Sequence, residues 1–144
     1  MVAWATVIPM PDRYPGYDVL AKRNTPSWNR KTREVIDRRL AVPHTPRFFT
    51  EVEFATVAAI AARLVPQPHD RPPIPLAPLV DEKLHSGRND GYRFAGMPRE
   101  AEAWRLGLRA LDAEARRAHG AAFRDLEPAA QDSLLARMQE GQLD

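Results

Sequence analysis

The sequence has no cysteine, which excludes disulfides, thiolate metal sites and thiol catalysis. It has few glycines, seven in all, and those between Gly87 and Gly96 match neither a dinucleotide fingerprint nor a P-loop. No Gly-Lys-Ser/Thr follows them, so no bound nucleotide is expected. Long apolar runs are missing too. The opening Met1-Val-Ala-Trp-Ala-Thr-Val-Ile is apolar but carries no basic flank, and Pro9 and Pro11 cut it short. Neither a secretory nor a twin-arginine leader is expected, nor direct insertion into a membrane. The expected location is the cytoplasm, with the periplasm, in company with a complex, as the alternative. Aromatic residues make up only 8% of the chain, and little in it suggests strands.

What the chain has is proline, fourteen in 144 residues, and helix-forming sequence between the prolines. One modest core is all this length buries. Pro9, Pro11, Pro15 and Pro26 mark residues 1–26 as an extended N-terminal arm, with Arg13-Tyr14-Pro15-Gly16-Tyr17 at its centre. Residues 27–144 read as one helical domain. Ser27 suits the cap of a helix over roughly 28–41, with Trp28, Val35, Ile36 and Leu40 sharing a face. Thr50-Glu-Val-Glu53 is a capping box, with Phe49 and Phe54 placed as a hydrophobic staple. The helix it opens runs through Val57, Ile60 and Leu64 and stops before Pro66. Six prolines in residues 66–78 predict an extended strap. A short helix over Leu79–Ser86 and a loop over residues 87–97 follow. A C-terminal helical hairpin closes the chain, its first helix running from Pro98 to His119 with Gly120 beyond its end. Its second helix starts at Pro128, with Leu134, Leu135 and Met138 facing inward. Gly107 inside the first helix predicts a close crossing. The fold class is therefore all-α: a small irregular helical domain with a C-terminal helical hairpin and proline-rich extended straps.

No catalytic set is assembled by these residues. Of His44, His69, His85 and His119, only His85 belongs to a Glu-x-x-His motif, with Glu82, and di-iron bundles need two such motifs. Catalysis by Glu82 and His85 is the weakest of the readings considered. Asp81-Glu82 and Asp112-x-Glu114 lie among arginines and read as solvated helix faces. Ser27, Ser86 and Ser133 lack a nucleophile elbow. No catalytic, cofactor-binding or metal-binding residue is assigned, and no cofactor. The net charge of +2 divides into +5 over residues 1–50 and −3 over 51–144. Lys22, Arg23, Arg30, Lys31, Arg33, Arg38 and Arg39 carry the basic half. Spacing predicts Arg33–Asp37 and Glu34–Arg38 pairs that dilute it, and no nucleic-acid motif accompanies it. A stand-alone nucleic-acid-binding or regulatory module built on residues 22–39 is nonetheless the rival reading. Aromatics on extended segments (Tyr14, Tyr17, Trp28, Tyr92 and Phe94) form the candidate surface for a protein partner.

Two stretches are more specific than hairpin physics requires. One is Phe48-Phe49-Thr50-x-x-Glu53, opening an alanine-rich helix that ends Ala62-Arg63-Leu64-Val65-Pro66. The other joins Trp104-Arg-Leu-Gly107-Leu-Arg-Ala-Leu111-Asp-Ala to Phe123-Arg-Asp-Leu126-x-Pro128-x-x-Gln131-Asp-x-Leu134-Leu135. Together they resemble the gluconate 2-dehydrogenase subunit 3 family over about residues 47–141. The resemblance implies a non-catalytic small subunit that accompanies a large FAD-dependent oxidoreductase of the glucose–methanol–choline type. A multihaem cytochrome c often joins such complexes. The flavin and the sugar or polyol chemistry would lie on the large subunit, and the small one would support its folding, stability and export. Members of the family usually continue into a Gly-, Pro- and aromatic-rich tail, so either a fragment or a shortened member is expected here.

Overall fold

A computed structural model describes residues 16–67, 72–88 and 91–143. Among these residues the chain is all helical: five α-helices and two 3-10 helices, with no strand. The helices are α1 (Arg30–Leu40), α2 (Glu51–Leu64), α3 (Leu76–His85), α4 (Glu100–His119) and α5 (Pro128–Gln139). The chain divides into two compact units, Met1–Arg38 and Arg39–Asp144.

In the first unit, residues Val19–Asn24 form a 3-10 helix where the proline spacing leads one to expect extended chain. Asp18 caps it, accepting the Leu20 N–H at 2.8 Å. Asn29, not Ser27, caps α1, its Oδ1 accepting the Thr32 N–H at 2.8 Å. The ion pairs also differ from the predicted ones. Asp37 pairs with Arg23 through both guanidinium nitrogens, and Glu34 pairs with Arg30 at 3.4 Å. Arg33 donates instead to the Arg23 carbonyl at 3.1 Å. Asp37 therefore sits below the ordinary carboxylate range because Arg23 hydrogen-bonds its charged form.

The second unit is built around α2. Thr50 and Glu53 form the expected capping box, and Phe49 is 4% exposed and packs with Phe54 in one core cluster. Val57, Ala77, Leu84 and Leu108 complete that cluster, so α2, α3 and α4 share it. Leu111, Ala115, Phe123 and Leu134 form a second cluster around the hairpin, and Ile60 of α2 packs against both. α3 starts at Leu76, three residues earlier than its prolines suggest. Pro78 falls in the first turn, where backbone N–H groups have no intrahelical acceptor, so proline costs nothing there.

Polar groups fix the joints. Asp81, 3% exposed, accepts the backbone N–H groups of Arg47, Phe48 and Phe49 at 2.8, 3.0 and 2.9 Å. Its neighbour Glu82 pairs with the Arg47 side chain. Arg105 of α4 donates to the Phe48 carbonyl at 2.9 Å and lays its guanidinium over the Phe48 ring. The segment entering α2 is thus held from two helices at once. At the hairpin, Gly120 adopts φ +74°, a left-handed conformation that glycine enters without penalty, and its N–H closes α4 on the Arg116 carbonyl. Asp112 accepts the Phe123 N–H at 3.0 Å, while Gln131 donates to the Phe123 carbonyl at 3.0 Å. Asp81, Asp112 and Glu114 are therefore structural anchors and not the solvated face residues that their sequence context suggests. Each found a partner that only the tertiary fold brings near.

Candidate partner interface

Three helices of the second unit leave a groove between them. Its volume is about 510 Å³, and its walls are Ile60 and Leu64 of α2 and Leu135 and Met138 of α5. Trp104 and Gly107 of α4 lie along its floor. The lining is mostly apolar, and two of its largest side chains stand in solvent: Leu64 is 61% exposed and Met138 42%. Met138 is expected on the inward face of α5, and Leu64 closes the helix that runs through Val57 and Ile60. Both keep the apolar period of their helices, and among the described residues no further element covers them. Gly107 does not mark a close crossing either. A Cβ placed on it would meet only the Met138 methyl, at 3.6 Å.

Salt bridges set the walls. Glu114 of α4 has a side chain only 3% exposed and receives Arg117 and Arg137, each at 2.8 Å. Arg137 precedes Met138 on α5, so this contact pins the helix turn that forms one wall. Arg63 reaches Asp132 at 3.7 Å and ties α2 to the start of α5. Glu114 lies below the usual carboxylate range, chiefly because Arg117 and then Arg137 hydrogen-bond its charged form, against the opposing effect of desolvation.

Tyr92 and Phe94 lie on the loop before α4, 79% and 72% exposed, with their rings edge to face at 5.9 Å. They border a second depression of about 570 Å³, which shares Glu100 and Ala103 with the groove. The other aromatics proposed for a partner lie in the first unit. Tyr17 is half exposed, with the Lys22 ammonium 5.0 Å from its ring centre. Trp28 is 9% exposed and offers little surface. Tyr14 lies outside the described residues. Leu64 and Met138 were missed by sequence reasoning, because nothing in a helical stripe tells which of its members go uncovered.

Nothing in this geometry concentrates reactive groups. Among the described residues no three His, Asp or Glu side chains stand together as a metal site, and no helix is long and apolar enough to cross a membrane. Glu82 of the Glu-x-x-His motif is engaged with Arg47. The groove is an apolar depression made by α2, α4 and α5 together.

The model of one family, gluconate 2-dehydrogenase subunit 3, matches residues 51–144, from the first residue of α2 onward. The chain belongs to the gluconate 2-dehydrogenase subunit 3 family. No curated protein and no solved structure matches it. The subunit 3 match covers all four helices of the second unit beyond α1, and so includes the groove, Tyr92 and Phe94, while Tyr17 and Trp28 precede it. Membership implies association with a gluconate dehydrogenase complex. The region that defines the family is thus the region that carries the open groove.

Proposed function

We propose that this chain is a non-catalytic accessory subunit that binds and stabilises the FAD-dependent, glucose–methanol–choline-type large subunit of a sugar or polyol dehydrogenase. The observation that carries this reading is the uncovered groove of the family-matched helices, with Leu64 and Met138 in water on its walls. Full burial of side chains of this size contributes about 1.5–3 kcal/mol each, so a partner that covers them gains affinity from apolar area alone. Tyr92 and Phe94 extend the same surface past Ala103 with rigid aromatic anchors of the kind that concentrate interface energy. The small subunit supplies no group to the reaction. It acts by stabilising the fold that holds the flavin, and anything that binds only the folded partner raises that partner's stability by mass action.

The test is co-purification of the tagged chain from its native cell, followed by an absorption spectrum. A stoichiometric companion with flavin absorption is the expected result. The double variant Leu64→Gln, Met138→Gln should keep its helices, since both side chains are already largely exposed, and should lose the companion. A colourless chain that purifies alone from cells making the dehydrogenase would overturn the reading.

A further inference from the structure

The loop before α4 combines its two exposed rings with charge that the chain leaves unbalanced. Arg93 and Arg99 both line the depression beside Tyr92 and Phe94, and both are exposed. Arg93 donates to the Met97 carbonyl at 3.3 Å, which orients its guanidinium without neutralising it. Arg99, the residue at the cap of α4, forms no ion pair among the described residues. The carboxylate that does line the depression, Glu100, is already paired with Lys83 at 3.0 Å. Among the described residues that line the depression, the two arginines and two aromatic faces meet no unpaired carboxylate.

We infer that this depression docks an acidic segment of the partner protein, whose carboxylates meet Arg93 and Arg99 while neighbouring apolar side chains cover Tyr92 and Phe94. The inference rests on the accessory-subunit reading and names the chemistry of one of its contacts. Guanidinium groups suit carboxylates because the planar fork matches both oxygens. Charge complementarity at such a rim acts mostly on specificity and association rate. A nucleic acid fits less well. Its backbone needs a basic track, whereas Arg99 is followed along α4 by Glu100 and, two residues further, by the exposed Glu102, both of one sign with phosphate.

The experiment uses the flavoprotein that co-purifies with the full-length wild-type chain, separated and rebound in vitro to wild-type chain, to Arg93→Glu, Arg99→Glu and to Arg93→Lys, Arg99→Lys. At about 0.01 M salt, where the Debye length is about 30 Å, charge reversal should weaken binding by about tenfold or more, and the lysine variant, which keeps the charge but loses the fork, should weaken it far less. At about 1 M salt, where the Debye length is about 3 Å, the three should converge. Far-UV circular dichroism checks that the helices persist, and Arg93→Gln, Arg99→Gln should give a smaller loss of the same sign. Equal binding of the flavoprotein by wild type and the charge-reversal variant at low salt overturns the inference and leaves the accessory reading standing. If wild type retains no flavoprotein, both fall. Tight binding of a mixed-sequence single-stranded oligonucleotide to the isolated wild-type chain, lost on charge reversal, also overturns it, in favour of nucleic acid.

Discussion

Arg137 on α5 places a guanidinium nitrogen 2.8 Å from the carboxylate of Glu114 on α4, whose side chain is almost wholly withdrawn from water. Arg117 donates to the same carboxylate from one turn further along α4, through two nitrogens at 2.9 and 2.8 Å. The two helices of the hairpin are thus joined through one acid and two bases. Because these bonds favour the charged form, the folded state holds the Glu114 carboxyl below its ordinary value of 4.5. A carboxyl lowered on folding stabilises fully above its unfolded pKa, and the contribution disappears as pH falls through the folded one. Thermal melts of wild type and Glu114→Gln should differ most near neutrality, with wild type the more stable. The gap should close as pH drops below about 4.5, and a gap that stays constant to low pH would show that the ionised pair contributes nothing.

Asp81 accepts three backbone N–H groups, and its removal leaves all three without their acceptor. Hydrogen bonds to charged groups are worth about 1.5–3 kcal/mol each and do not add in full. Asp81→Ala should therefore cost about 3–5 kcal/mol in denaturant unfolding, near the upper end for single substitutions. Asp81→Asn keeps one acceptor oxygen and should lose less.

Gly107 offers a substitution of opposite sign. A methyl there meets only the flexible end of Met138 at ordinary contact distance, so Gly107→Ala should stabilise the chain by up to about 1 kcal/mol through helix propensity. Gly107→Phe places a ring in the groove without burying a charge. It should leave the helical spectrum intact and reduce capture of the flavoprotein, which a pull-down with purified partner measures.

Gln131, 7% exposed, holds the Phe123 carbonyl of the hairpin connector. Gln131→Ala removes one of two donors to that carbonyl, which keeps the Leu126 N–H at 3.2 Å, and should cost about 0.5–1.5 kcal/mol in chemical denaturation. Phe123→Ala empties a site that is 0% exposed, and a loss of about 3–5 kcal/mol is expected from the cavity. A Phe123→Ala protein as stable as wild type would show that the connector is not part of the core.

Local chemistry was legible at the start of α2 and the end of α4, though not at α1, which Asn29 and not Ser27 caps. Thr50 and Glu53 lie three residues apart and cap each other, and Gly120 ends α4 because only the adjacent turn is involved. The family signature was legible for the same reason: Phe123, Pro128 and Gln131 build one connector. Reading failed where the partner is distant. Asp81 lies more than thirty residues from the N–H groups it accepts, and Arg23 is fourteen from Asp37. Pro78 misled in the other direction, since a proline that forbids a helix interior is tolerated in its first turn. The groove was hidden because Leu64 and Met138 obey the apolar period of their helices, and periodicity reports which residues share a face but not what covers that face.

The exposed flank of Leu64 and Met138 has a consequence for how the cell must make this protein. On the accessory-subunit reading, the chain is finished only when its partner arrives, and until then it displays the kind of surface that chaperones hold and proteases sample. Copies made in excess of the large subunit would be cleared, so the amount that accumulates should follow the supply of the dehydrogenase and not the strength of the small subunit's own expression. Matched synthesis of the two chains then becomes a requirement set by a few uncovered aliphatic side chains.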